Sequence, residues 1–185
     1  MLINATYDDT NAIITTFFPP GTTLYDIYMR HAEAVTVKAL ACAARVDHLD
    51  PDTELIEQAA MLHDIGIWLT HSKAIGCTGP YPYICHGYLG RSLLEKFGLP
   101  RHGLVCERHV GVGISKADIR SLRLPLPLRD MRPVSLEEKI ICYADLFFSK
   151  KKGRRIKSVN EIIRKLSSYG QDKVRRFESW QERFD

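Results

Sequence analysis

The sequence predicts an all-α fold, a single helical bundle of about six to eight helices that ends in a C-terminal amphipathic helix. Apolar residues recur every three or four positions along most of the chain, which is the spacing of one helix face. Glycine and proline separate these stretches, and the one strand-like run, residues 13–18, has no partner run nearby. A chain of 185 residues with 45% hydrophobic and 26% charged residues fits one globular domain, which excludes a disordered or fibrous protein.

Helices are predicted in chain order after an irregular segment that covers residues 1–22. Their expected positions are 24–46, 51–66, 84–97, 100–109, 135–149 and 158–184. Asp50 followed by Pro51 is typical of a helix start, because an N-cap aspartate often precedes a proline at the first helical position. The segments 70–83 and 121–133 are rich in glycine or proline and predict surface loops.

Two capping boxes mark the starts of the last two predicted helices. Ser135 with Glu138, and Ser158 with Glu161, have the spacing at which each side chain reaches the other residue's backbone N–H. The final helix keeps its apolar spacing to the end, although Gly170 weakens its middle. We expect the apolar face of this helix to dock on the domain. Whether the protein also forms a homodimer through this helix stays open.

Charge is unevenly distributed along the chain, whose net charge is +4. Residues 1–145 hold 14 Lys and Arg against 17 Asp and Glu, whereas residues 146–185 hold 12 against 5. Such a basic stretch attracts phosphate or nucleic acid, or forms a solvated surface. It lacks the interleaved aromatic residues on which bases stack, so nucleic acid is not the expected partner. Three segments are predicted: an irregular segment, 1–22; a helical domain, 23–150; and a basic linker with the C-terminal helix, 151–185.

The cysteine pattern and the absence of targeting signals predict a cytoplasmic protein without a membrane partner. The five cysteines are odd in number and form no C-x-x-C pair, which indicates buried reduced thiols rather than disulfides or a cysteine zinc site. No apolar run approaches the ~18–20 residues of a membrane span. The first ten residues lack the apolar core of a secretory signal.

The adjacent pair His63 and Asp64 is the sharpest local feature of the sequence. Imidazole nitrogen and carboxylate oxygen both bind divalent metals, although such a pair also satisfies backbone groups at helix ends. His31 lies on the apolar face of the first long helix, where a hydrogen-bonded core histidine is the common alternative. Asp145 also lies on an apolar face, where an ionised carboxylate is costly unless it is paired or bound to metal.

The ordered set His31, His63-Asp64 and Asp145 resembles the HD-domain metal-dependent phosphohydrolases. Residues 63–66 read His-Asp-Ile-Gly, the tetrad of the HDIG branch, and the resemblance covers about residues 25–149. It implies one or two divalent ions (Fe, Mn, Co, Ni, Zn or Mg), bridged by Asp64, with His63 and Asp64 as the catalytic residues. The implied metal ligands are His31, His63, Asp64, His86, His109 and Asp145.

The function that this resemblance implies is hydrolysis of a phosphoester, such as that of a nucleotide, by water activated at a binuclear site. The same ligands also suit a di-iron oxygenase of this superfamily, and the fold also suits a non-catalytic nucleotide-binding module. Both alternatives stay open.

Substrate-binding cations are expected away from the tetrad. Residues 67–68 are Ile-Trp, where several branches of the superfamily have Lys or Arg. The candidates are Arg108, Lys73 and Lys150. Lys150 lies five residues beyond Asp145 on the same predicted helix. His71 and His102 are weaker candidates, for which a loop or surface position is the common alternative.

Overall fold

The computed structural model describes residues 7–150 and 156–185 and confirms a mostly helical fold. These residues form nine α-helices, one more than the expected upper number. Their bounds are α1 Tyr7–Phe17, α2 Thr23–Arg45, α3 Thr53–Leu62, α4 His86–Lys96, α5 Pro100–Arg108, α6 Lys116–Ser121, α7 Leu136–Asp145, α8 Val159–Ser167 and α9 Gln171–Phe184. The strands are β1 Thr70–Ser72, β2 Cys77–Thr78 and β3 Tyr81–Pro82, and short 3₁₀ turns occupy Asp47–Leu49, Ile65–Leu69 and Tyr83–Cys85.

Residues 1–22 were predicted to be irregular. This prediction is wrong, because α1 lies within them. Thr10, Ile14 and Phe18 are buried at four-residue intervals, so one face of the helix packs against the domain. The Phe18 ring stacks on the Tyr28 ring of α2, with centroids 4.3 Å apart. Tertiary packing therefore favours a helix where the run of residues 13–18 allowed a strand.

The predicted start of the second helix is also wrong. Asp52, not Asp50, caps α3, and its side chain accepts a hydrogen bond of 3.0 Å from the Leu55 N–H. Asp50 instead has a left-handed backbone, with φ of 51°, at the end of the preceding 3₁₀ turn. Aspartate tolerates a left-handed backbone better than most residues do. Asp50 therefore forms the end of a turn and does not cap a helix.

A small sheet occupies the segment 70–83, which was predicted to be a loop. Its strand order is β2-β1-β3, with β1 antiparallel to β2 and parallel to β3. Strands of two or three residues are too short to show an alternating pattern in the sequence. The sheet lies in the chain between Asp64 and His86 and so joins two parts of the candidate site.

The C-terminal region differs from the single predicted helix. Both predicted capping boxes are present, at Ser135 and Ser158, and therefore confirmed. The helix after Ser158, however, is split into α8 and α9 at Gly170, whose φ of 132° is unfavourable for other residues. α9 packs back on α7, where the Phe177 and Phe184 rings lie 5.5 and 5.6 Å from the ring of Tyr143.

The helix α7 ends at Asp145, earlier than the predicted residue 149. The amino group of Lys157 donates hydrogen bonds of 2.8 and 2.6 Å to the carbonyl oxygens of Leu146 and Phe148. These bonds satisfy carbonyls that a helix end leaves free. Lys150 consequently does not lie on the same helix as Asp145, which corrects that expectation.

Two buried apolar clusters make up the core of the described residues. One lies among α2, α3, α7, α8 and α9, and the other among α1, α2, α4 and the 3₁₀ turn Ile65–Leu69. All five cysteines are buried and free, as predicted. Across residues 7–150 and 156–185, every helix is too short or too polar to cross a membrane.

Candidate metal centre

Six residues from five separate segments meet in the interior of the bundle. His31 lies in α2, His63 and Asp64 follow α3, and the last three lie at helix ends. His86 begins α4, His109 follows α5, and Asp145 ends α7. Five of the six are buried, and the Asp145 side chain is 17% exposed. The fold thus brings together all six residues that the resemblance implied as ligands.

The four imidazoles form two pairs with a carboxylate between them. The Nε2 atoms of His31 and His63 lie 3.2 Å apart, as do those of His86 and His109. Asp64 Oδ2 is 3.1 and 3.0 Å from the first pair of nitrogens. Asp64 Oδ1 is 3.4 and 3.5 Å from the second pair. One carboxylate therefore presents a different oxygen to each pair.

Asp145 adds a second carboxylate, which lies nearest to the first pair of imidazoles and also within 4.8 Å of a ring nitrogen of His109. Its Oδ1 lies 3.0 Å from His31 Nε2 and 3.6 Å from His63 Nε2. The donor atoms of His31, His63 and Asp64 lie within 4.8 Å of one another, as do those of Asp64, His86 and His109. The site therefore has two unequal halves that share Asp64.

Backbone hydrogen bonds fix the orientation of three imidazoles. The Nδ1 atoms of His63, His86 and His109 lie 2.6, 2.7 and 2.8 Å from the carbonyl oxygen three residues earlier in the chain. Since a carbonyl only accepts, each Nδ1 carries the proton and donates it. The Nε2 of each ring then points into the centre, which is the arrangement of metal-binding histidines.

These donor atoms fit divalent metal ions. Two neutral Nε2 atoms 3.2 Å apart cannot hydrogen-bond to each other, because both are acceptors. Both Asp64 oxygens are buried and, among the described residues, accept no well-directed hydrogen bond, although Oδ2 forms an ion pair with Lys150. Metal bonds of about 2.0–2.2 Å separate neighbouring ligand atoms by about 3.0–3.5 Å, which matches the distances found. An ion in each half would satisfy all of these atoms.

Lys150 reaches this centre from the chain beyond α7. Its Nζ lies 2.5 Å from Asp64 Oδ2, and its side chain is only 13% exposed. Burial alone would lower the pKa of Lys150, but the carboxylates of Asp64 and Asp145 outweigh burial and raise it. Lys150 therefore places a positive charge beside the oxygen that faces His31 and His63.

The electrostatics of the two halves differ in the metal-free protein. Burial would raise the pKa of Asp64, but Lys150 and His63 hold it well below its usual range. Burial would lower the pKa of His63, but Asp64 and Asp145 raise it to about 10. By contrast, burial lowers the pKa of His86 to about 3. In the metal-free protein, the half that contains His31 and His63 therefore has a protonated His63 beside the Lys150 ammonium. His86, in the other half, is neutral.

Gly66, the last residue of the tetrad, sets the distance between Asp64 and α4. A Cβ at this position would lie 2.0 Å from the carbonyl oxygen of His86 and 2.5 Å from the backbone nitrogen of Gly90. Only a residue without a side chain allows the 3₁₀ turn to touch the start of α4 so closely. This contact brings Asp64 and His86 to the same site.

The other two predicted substrate-binding cations lie elsewhere. Arg108 donates hydrogen bonds of 2.8 and 3.0 Å to the carboxylate of Glu138 on α7. Lys73 is exposed in the turn between β1 and β2, and none of the described contacts joins it to the centre. Of the three predicted cations, Lys150 therefore reaches the centre, whereas Arg108 is held in an ion pair with Glu138. The rest of the basic run, residues 151–155, lies outside the described residues.

The weaker histidine candidates lie outside the cluster. His71 is exposed on β1. His102 is buried on α5, where its Nε2 lies 2.9 Å from Gln58 Oε1, and burial lowers its pKa to about 4. His48 is exposed.

Tyr83 belongs to the site and was missed by the sequence analysis. Its ring lies 4.8 Å from that of His86. Burial raises the pKa of its hydroxyl, which also interacts with Lys150 and Asp64. The one signal in the sequence is its position three residues before His86, where its carbonyl accepts the Nδ1–H of that histidine.

Comparison with protein families finds the HD domain at residues 28–148. The chain belongs to the HD-domain family. The match begins within α2, extends beyond α7 and contains all six residues of the centre, so this HD domain has the set that the resemblance implied. HD domains bind divalent metals, and the His/Asp groups described above are able to hold them.

Three relatives are similar to this chain over 65 to 76% of its length. An uncharacterized protein of Methanocaldococcus jannaschii is 34% identical over 142 residues, covering 75% of this chain and 74% of its own. A tRNA (cytidine(56)-2'-O)-methyltransferase of Picrophilus torridus is 33% identical over 121 residues, covering 65% of this chain and 31% of its own. The enzyme of the same name in Thermoplasma volcanium is 28% identical over 141 residues, with coverages of 76% and 37%. This chain therefore spans about a third of each methyltransferase. No solved structure matches it significantly.

Proposed function

We propose that this HD domain is a metal-dependent phosphohydrolase that cleaves a phosphoester with water activated at a binuclear site. The observation that carries the proposal is the Asp64 carboxylate, which lies between two pairs of imidazole nitrogens. His31, His63 and Asp145 would hold one ion, His86 and His109 the other, and Asp64 both. Bound ions would supply an activated water near neutral pH and neutralise charge on the phosphoryl oxygens.

The protein's own groups have distinct tasks in this reaction. The Nδ1–H bonds of His63, His86 and His109 hold the rings in place, so that little reorganisation is needed as charge develops. Lys150 would move from Asp64 to a phosphoryl oxygen once metal replaces it beside the carboxylate. Tyr83, beside Lys150, would contact the same phosphate. Arg108 would remain paired with Glu138. The exposed Lys73 would contact at most the part of the substrate that lies outside the centre.

The substrate expected from the resemblance is a nucleotide, and the ions are Fe, Mn, Co, Ni, Zn or Mg. Mixed imidazole and carboxylate sites accept several of these metals, so occupancy depends on availability. A cytoplasmic location stays an expectation from the sequence and the HDIG branch one from the resemblance, and whether the protein forms a homodimer stays open.

Phosphate release by metal-loaded protein tests the proposal. The purified protein is dialysed against each metal and assayed with a panel of nucleotides and other phosphoesters in ¹⁸O-labelled water. We expect ¹⁸O in the released phosphate, because water attacks phosphorus. Asp64→Ala and His63→Ala should lower the rate at least about a thousandfold, a loss of about 4 kcal/mol, whereas the exposed His48→Ala should not change it.

Wild-type protein that is inert with every metal, or an Asp64→Ala variant as active as wild type, would overturn the proposal. Oxygen uptake by iron-loaded protein with a substrate would instead support the di-iron oxygenase. Tight nucleotide binding without turnover would support the binding module.

A phosphoester of tRNA is a second candidate substrate, favoured by the two relatives named for a tRNA modification. The basic C-terminal part of the chain suits such a polyanion. The same assay with tRNA carrying a terminal phosphate tests it, and cleavage no faster than that of a simple aryl phosphate would rule it out.

A further inference from the structure

A cavity of about 440 Å³ has walls that include chain neighbours of three residues of the candidate metal centre. This volume is within the range of about 300–1,000 Å³ that is usual for small-molecule sites. Its walls come from the segment after α5, from α6 and the loop beyond it, and from α8. The apolar side chains that form most of the wall include Val110, Ile114, Leu124, Leu146, Ile162 and Leu166.

Three of the wall residues adjoin residues of the centre in the chain. Val110 follows His109, Leu146 follows Asp145, and Ile84 precedes His86 by two positions. The segments that carry the donor atoms therefore continue into the cavity wall. Because consecutive Cα atoms lie about 3.8 Å apart, the cavity wall begins one or two residues from the residues that carry the donor atoms.

The charged residues of the wall are largely engaged within the fold. Lys157 is bonded to two carbonyls of the segment after α7. Lys173 donates hydrogen bonds of 2.9 and 2.8 Å to Asp118. Lys165 is exposed at the rim, and the described contacts include no ion pair for it. The cavity thus combines an apolar interior with one available positive charge.

The wall offers little that could recognise a nucleobase. Its described lining includes no Asn, Gln, Ser or Thr side chain, and Tyr169 supplies the one hydroxyl. The polar edges of a base would lose water there and find few hydrogen-bonding side chains besides Lys165 and Tyr169, which is unfavourable. An alkyl or aryl group carries no such cost and gains from burial.

We propose that this cavity binds the apolar body, alkyl or aryl, of an anionic ester whose phosphate lies at the metal centre. The proposal rests on the proposed function for the phosphate head group only. Because α8 lies outside residues 28–148 that match the family, the C-terminal helices would set the choice of substrate in this protein.

Binding of n-alkylphosphonates tests the proposal without any hydrolysis, since these compounds contain no ester bond. Calorimetry is done with methyl-, propyl- and pentylphosphonate, with and without Mn²⁺. Each buried methylene should lower Kd about fourfold. A parallel assay of the n-alkyl phosphate esters measures hydrolysis.

Two variants place the ligand in the cavity. Leu124→Trp fills the cavity from its wall and should abolish the dependence of Kd on chain length. Leu128→Trp changes a half-exposed residue of the same loop that does not line the cavity, and should keep that dependence.

The outcomes separate this proposal from the proposed function. Chain-length dependence that Leu124→Trp removes, without hydrolysis of any ester, supports the cavity and overturns the phosphohydrolase. Hydrolysis with a Kd that is independent of chain length, or equally dependent in Leu124→Trp, overturns the cavity proposal. Tighter binding of adenosine monophosphate than of pentylphosphonate, weakened by Leu124→Trp, would assign the cavity to a nucleobase and also overturn it.

Discussion

The amino nitrogen of Lys150 lies 2.5 Å from Oδ2 of Asp64, the oxygen that also faces the Nε2 atoms of His31 and His63. An ammonium group of the protein therefore occupies the neighbourhood in which a metal ion would bind. Because one carboxylate oxygen cannot serve both cations equally, the side chain and the metal compete for it.

Removal of this ammonium should strengthen metal binding. We expect Lys150→Met to lower the Kd for Mn²⁺ at least about tenfold, because no internal cation then has to be displaced. The metal-free variant should also unfold more easily, since Asp64 loses a buried partner. Calorimetry and urea unfolding measure both effects. Lys96→Met, at an exposed position of α4, is the control, and an unchanged Kd in Lys150→Met would contradict competition.

The two halves of the centre should lose metal independently. His86→Ala removes a donor from the half that contains His109 but leaves His31, His63 and Asp145 in place. We therefore expect wild-type protein to hold two ions and His86→Ala to hold one. Metal analysis after dialysis measures the number per chain, with His48→Ala as the control. Equal metal content in wild type and His86→Ala would contradict the assignment of His86 as a metal ligand.

Gly66 should tolerate no side chain. In Gly66→Ala the new Cβ meets backbone atoms of His86 and Gly90, which cannot move without shifting α4. Overpacking of this kind costs about 1–3 kcal/mol, and more where the backbone is rigid. We expect a loss of at least about 3 kcal/mol in urea unfolding and weaker metal binding in the half that contains His86.

Gly103→Ala on α5 is the matched comparison for Gly66. There the nearest atom to a new Cβ is 3.2 Å away, and a helical alanine is itself favoured. Its stability should change by less than about 1 kcal/mol. Similar losses in the two variants would show that the contact at Gly66 has no special role.

His102 should make stability depend on pH in mild acid. Burial lowers its pKa to about 4, below the value of about 6.5 in an unfolded chain. As pH falls, the unfolded state takes up the proton first, so the stabilisation is complete above pH about 6.5 and is lost toward pH 4. The loss amounts to at most about 3 kcal/mol.

His102→Gln isolates this contribution because its amide can still donate to Gln58 but does not titrate. Urea unfolding from pH 7 to 4.5 should show a smaller loss of stability than in wild type. The exposed His48→Gln should follow wild type throughout. Identical pH profiles for His102→Gln and wild type would disprove the assignment.

The helix starts that depend on local chemistry could be predicted from the sequence. Ser135 with Glu138, and Ser158 with Glu161, form capping boxes because the two side chains and two backbone groups are within one turn. The end of α7 could not be predicted in this way, since Lys157 holds the carbonyls of Leu146 and Phe148, just beyond the helix, from a point about ten residues further along the chain. The helix α1 likewise depends on burial of Phe18 against Tyr28.

The candidate site was predictable to the extent that its residues follow a known order. The resemblance named the six residues that meet, but the sequence alone left each with a structural alternative. Lys150 was named for a wrong reason, because α7 ends before it and the chain beyond the helix brings it to Asp64. Tyr83 was missed because nothing in a sequence marks a tyrosine that approaches through a 3₁₀ turn.

The five separate segments of the centre have a consequence for folding kinetics. The first and last of the six residues, His31 and Asp145, are held by α2 and α7 and are far apart in sequence. A complete set of donors thus exists only after these helices have packed, late on the folding pathway. Metal would then bind the native state but not the transition state. It should leave the folding rate unchanged and slow unfolding, which would make the loaded protein kinetically persistent.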